Sequence, residues 1–208
     1  MRKSSTLFCG LFVTFSLGVR AQAPPKLVPL DSTGLITYYI ADGIPTFGSR
    51  PGDIELATWA FKDWERGAGG TIRLEPIADE GIALIRLYWR PSGKGEYGQT
   101  EPLIANRRRA ALIFVLPTMA RNRILGPATT RDPLLRDTIL YLSCLHEIGH
   151  ALGLGHSSAV EDVMYTNASD AKFEQYRRSL TTRADIEKLS WLSPTDRSRL
   201  KALYRTSP

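Results

Sequence analysis

Residues 146–156 read HEIGHALGLGH, and this segment holds all three histidines of the 208-residue chain. On a helix, His146 and His150 stand four residues apart, so their imidazoles project from one face about one turn apart and reach a single cation. Glu147 is directed to the side of that ion, the place of a base toward water at the metal rather than of a ligand. Gly153 lets the chain leave the helix through a conformation that a side chain resists, and His156 then swings back as a third nitrogen donor. Three imidazoles with one open position make a tetrahedral zinc site of the catalytic kind.

The elements that must position these residues are legible in outline. Residues 35–40 (LITYYI) are β-branched and aromatic and end at Asp42 and Gly43, which reads as a strand and a turn. A helix follows, with Asp53 as its N-cap and Ala57, Ala60, Phe61 and Trp64 as one apolar stripe, stopped by Gly67, Gly69 and Gly70. Residues 71–77 and 82–89 read as strands, 90–109 as a long irregular loop with Arg107, Arg108 and Arg109 in a solvated run, and 110–116 as a further strand. After a second loop rich in Arg and Pro, Asp132 and Pro133 introduce a helix over 134–152. Two helical patterns close the chain, 182–189 and 193–204, the second with Ser193 at the N-cap, Pro194 at N1 and Asp196 at N3. This order predicts an α/β (α+β) layer fold in which a twisted sheet packs on two helices.

Composition excludes several classes. With 43% apolar and 23% charged residues, the chain is expected to form one compact domain. Arg2 and Lys3, the apolar run from Leu7 to Val19, and the small residues Ala21 and Ala23 describe a secretory signal, too short to span a bilayer comfortably. The predicted organisation is a signal peptide over 1–21 with cleavage near 21–23, an extended segment over 22–33 set by Pro24, Pro25 and Pro29, and a catalytic domain over 34–208. Loss of Arg2, Lys3 and Arg20 leaves 24 basic against 21 acidic side chains and lowers the net charge from +6 to +3, which does not predict a nucleic-acid binder. The sequence predicts no membrane span, and a soluble protein that is secreted or periplasmic and monomeric. Cys9 departs with the signal, so Cys144 remains alone, without a disulfide, and reads as a small buried apolar residue.

The zinc segment resembles the metzincin peptidases, and Ser157 after the third histidine together with Met164 in VMYT resembles the matrixin branch, the matrix metalloproteinase-like catalytic domains. Ala60, Phe61 and Trp64 are similar to the first matrixin helix, and Leu192, Ser193, Asp196, Leu200, Leu203 and Tyr204 to the last. The resemblance implies a twisted mixed sheet of about four to five strands with an N-terminal helix, an active-site helix and C-terminal helices. It implies that Met164 forms a turn beneath the metal. Astacin-like and serralysin-like relatives place a metal-reaching tyrosine where this chain has Thr166, and matrixins place a proline there. Animal matrixins carry a second, structural zinc held by three more histidines and an aspartate; this chain has no further histidine, so that ion is expected to be absent. Calcium is likewise unsupported, because residues 90–133 hold only Glu96, Glu101 and Asp132 as carboxylates.

The activity implied is secreted zinc-dependent hydrolysis of peptide bonds by an activated water, with Glu147 as general base. The substrate is expected to be a protein or peptide lying extended along an edge strand, for which 110–116, with Ala111 and Leu112, is the candidate by resemblance. Leu142, one turn before His146, and Tyr165 complete the substrate-binding candidates, with an apolar residue following the cut. The alternatives are a zinc-binding interaction module without catalysis and an amidase acting on cell-wall peptides.

Overall fold

A computed structural model describes residues 28–90, 97–120, 122–166 and 170–205, with the side chain of residue 170 excepted. The predicted signal peptide and its cleavage point lie outside the described residues, as does the first part of the extended segment. Five strands, β1 (Leu35–Ile40), β2 (Arg73–Pro76), β3 (Ile85–Trp89), β4 (Gly98–Ala105) and β5 (Arg108–Val115), form one sheet in the order β2-β1-β3-β5-β4. All neighbours are parallel except β4, which runs antiparallel to β5.

Helix α1 (Asp53–Ala68) crosses between β1 and β2, and α3 (Pro133–Ala151) packs on both α1 and the β4–β5 end of the sheet. The strand alternation explains the core. In β3, Ile85, Leu87 and Trp89 are buried while Arg86 and Tyr88 are less so, and the buried set meets Ile36, Tyr38, Phe61 and Trp64. Tyr38 stacks on Phe61 with ring centroids 3.8 Å apart, tying β1 to α1. The starts of α1 and α3 are joined by a buried ion pair, in which Arg136 Nη2 donates to Asp53 Oδ2 at 2.8 Å and to the Pro117 carbonyl at 2.7 Å. Asp53 is therefore not the N-cap. Gly52 caps α1, and the Asp53 carboxylate instead accepts from the Arg50 N–H and from Arg136.

The remaining helices are α2 (Leu125–Arg131), α4 (Asp170–Arg178), α5 (Asp185–Lys188) and α6 (Pro194–Arg205). Asp132 caps α3, accepting from the N–H groups of Leu134 and Leu135 at 3.1 Å each. Ser193 and Asp196 cap α6 reciprocally: the Asp196 N–H donates to Ser193 Oγ at 2.9 Å and the Ser193 N–H to Asp196 Oδ2 at 3.1 Å.

Two expected loops are corrected. The stretch 90–109 contains strand β4, joined to β5 by a two-residue turn at Asn106 and Arg107, which both adopt positive φ (51° and 61°). Gly98 and Pro102 interrupt the period of β4, and a proline is tolerated there because β4 is the edge of the sheet. Arg107 belongs to the turn, while Arg108 and Arg109 begin β5, with Arg108 paired to Asp31 at 2.6 Å. The Arg- and Pro-rich stretch before Asp132 contains α2, whose Pro127 falls in the first turn, where a missing N–H costs little. Strand 110–116 is thus not the edge: Ala111 pairs with Ile85 and Pro102, and Leu112 with Arg86 and Glu101.

Candidate metal centre

His146 and His150 lie on the last two turns of α3, and Gly153, at φ +102°, breaks the helix beyond them. A Cβ at Gly153 would stand 2.4 Å from the Val28 carbonyl, so both the turn and the close approach of the N-terminal segment require glycine. The chain returns, and the three Nε2 atoms converge: His150 lies 3.1 Å from His146 and 3.2 Å from His156. Tetrahedral zinc at about 2.05 Å from each nitrogen separates its ligands by about 3.3 Å. The donor set therefore fits one zinc ion.

The tautomers agree with this reading. His146 Nδ1 donates to the Val163 carbonyl and His150 Nδ1 to the Leu154 carbonyl, each at 2.8 Å. A carbonyl only accepts, so the proton sits on Nδ1 and the Nε2 lone pair faces the centre. Burial, assisted by the neighbouring His150, lowers the His146 pKa to about 4, and burial lowers that of His150, keeping both rings neutral and ready to ligate.

The floor is built from three directions. Met164 is fully buried, and a Cβ at Gly149 would lie 2.3 Å from its sulfur and 2.8 Å from Trp64 Cζ2. Gly149 thus sits where α3 must approach both side chains. Trp64 Nε1 donates to the Leu145 carbonyl at 2.7 Å, fixing α1 to α3 one residue before His146. The buried Asp196 accepts from the Val163 N–H at 2.8 Å and the Met164 N–H at 3.4 Å. Since the Val163 carbonyl also receives His146 Nδ1–H, the α6 cap, the Val163–Met164 backbone and His146 form one connected network.

Glu147 is 7% exposed and opens on a cleft of about 590 Å³ that the three histidines also line. Thr100 Oγ1 of β4 lies 2.7 Å from Glu147 Oε2 and 2.9 Å from the Glu147 carbonyl. A hydroxyl has one proton to donate, so Thr100 serves these acceptors one at a time. Gly98 permits the contact: a Cβ there would stand 2.5 Å from Glu147 Cγ.

Leu142 and Tyr165 line this cleft together with the three histidines and Glu147. Ala111 and Leu112 do not; Ala111 faces a separate hollow between Val28, Pro102 and His150. Sequence reading missed Gly98, Gln99 and Thr100 because β4 was hidden, and Lys172, Phe173 and Tyr176 because α4 was. Gly149 was visible as a glycine inside a helix, a sign of close packing. Cys144 is fully buried, with its thiol pKa pushed up by that burial. Among the described residues no helix is long and apolar enough to cross a membrane.

A peptidase family model described as Matrixin matches residues 33–192, more than half of the chain. A search of curated proteins found no match.

Proposed function

The chain belongs to the matrixin family of zinc metallopeptidases, and on that premise we propose that it is a secreted endopeptidase in which Glu147 is the general base. The observation that carries the reading is the convergence of three imidazole Nε2 atoms beside a buried glutamate in one open cleft. Bound by His146, His150 and His156, zinc would supply a Lewis acid that polarises the scissile carbonyl and acidifies water.

The protein's own groups then do the following. Glu147 accepts the water's proton and returns it to the departing amine. Thr100 donates to Glu147 Oε2 while that group is ionised; once the carboxyl holds a proton, the hydroxyl can turn to the Glu147 carbonyl and accept from the acid. Substrate lies extended along β4, whose outer side pairs with no strand among the described residues. β4 replaces strand 110–116 in this role, because the backbone of β5 is already paired on both sides.

Leu142, Tyr165, Phe173 and Tyr176 give the cleft an apolar wall, which supports selection of an apolar residue after the cut. Residues 1–21 act as the export signal, to be checked by N-terminal sequencing of the secreted protein.

Casein degradation that a zinc chelator stops is the direct test. Stoichiometric zinc without any proteolysis would favour the interaction module instead. Cleavage confined to cell-wall peptides would favour the amidase.

A further inference from the structure

His146 and His150 are each fixed twice, by the helix and by an Nδ1–H bond to a carbonyl. His156 has no such second bond among the described residues: it lies beyond α3, exposed, and its ring depends on where the backbone of residues 154–156 is held. That backbone is fastened at its ends by the Leu154 N–H on the Gly149 carbonyl and the Ser157 N–H on the Met164 carbonyl. Between these points Gly155 offers no side chain to pack. Arg199 of α6 fills this role, with Nη2 donating to the Gly155 carbonyl at 2.8 Å and to the His156 carbonyl at 3.4 Å. Its Nη1 is buried with no hydrogen-bond partner among the described residues, so the guanidinium leaves one of its own donors unpaired while Nη2 holds the two loop carbonyls.

We propose that Arg199 is a positioning residue for the metal centre, fixing the Gly155–His156 backbone so that the third imidazole is already in place when zinc arrives. This rests on reading the three histidines as the zinc site. Charge and positioning oppose each other here. A guanidinium near a dication repels it, so on charge alone removing Arg199 would tighten zinc binding. Loss of an outer support typically weakens metal affinity by about 10- to 100-fold. The sign of the change therefore separates the two.

The experiment is a competition titration of zinc against a chromogenic chelator, with folding checked by the melting temperature in excess chelator. Arg199→Met is expected to raise the zinc Kd by at least about 10-fold and to alter the visible spectrum of the cobalt-substituted protein. Arg199→Lys, which keeps a donor, is expected to fall between that variant and the parent. Arg197→Met serves as the control, because Arg197 bonds Ser190 and the Leu192 carbonyl, away from the site, and should match the parent. Should Arg199→Met fail to fold, Arg199→Gln takes its place with the same expectation. Zinc bound by the neutral variant as tightly as by the parent, or more tightly, overturns the proposal alone. A parent that takes up no zinc overturns the metal reading and this proposal with it.

Discussion

Gly98→Ala places one methyl group against the proposed base. The new Cβ would stand 2.5 Å from Glu147 Cγ, 2.9 Å from Oε1 and 3.0 Å from Cδ. Carbon atoms in ordinary contact are about 3.5–4.0 Å apart, so something must give by about 1 Å. The strand is the stiffer partner, because β4 pairs along its length with β5 and the Leu116 N–H donates to the Tyr97 carbonyl at 3.0 Å. The Glu147 side chain moves instead. A misplacement of about 1 Å costs about 100-fold in rate, equivalent to about 2.7 kcal/mol of barrier. The imidazoles are not touched, so zinc content should stay at the parent value. The assay is kcat and KM on a quenched fluorescent peptide, with metal content and melting temperature measured on the same preparation. Placed on top of Glu147→Gln, Gly98→Ala should add almost no further loss, since both act through one group. A kcat within about threefold of the parent, with zinc retained, would refute the claim that this carboxylate sets the rate.

Other substitutions probe neighbouring parts of the network. Glu147→Gln should keep zinc while peptidase activity falls by about 100-fold or more, and near-full activity would remove Glu147 from the mechanism. Thr100→Val keeps shape but deletes the donor to Glu147; at about 1.5–3 kcal/mol for a hydrogen bond to a charged group, kcat should fall about 10- to 100-fold with KM and zinc content unchanged. Gly149→Ala drives a methyl against Met164 and Trp64, both fully buried, and should lower stability by about 1–3 kcal/mol in a urea titration. His146 is depressed from 6.5 to about 4 in the fold, so the unfolded chain binds its proton first. Stability of the zinc-free protein is then fully present above pH 6.5 and lost as pH falls toward 4, by about 3 kcal/mol at about 1.4 per unit. Urea midpoints between pH 7 and 4.5 should drop more for the parent than for His146→Gln, and equal drops would contradict the assignment.

The metal centre was legible because its information is local. His146 and His150 sit on one helical face with Glu147 beside them, Gly153 marks the exit, and His156 follows within a few residues. The cap at Ser193 was readable for the same reason, since a cap is written in adjacent residues. What lies around the centre was not. β4 is defined by its pairing with β5, and its Pro102 and the Asn106–Arg107 turn resemble a loop until a partner strand is present. With β4 hidden, 110–116 looked like the edge, and Thr100 and Gly98 had no reason to stand near Glu147. Arg199 and Asp196 reach the site from more than 40 and 30 residues away along the chain, a juxtaposition that no local pattern encodes.

The central claim is that three imidazoles hold one zinc ion. It is tested most directly by elemental analysis of the purified protein, parent beside His150→Ala. One zinc per chain in the parent and a large loss in the variant is the predicted result. A parent without zinc, or a variant that retains it in full, would contradict the account.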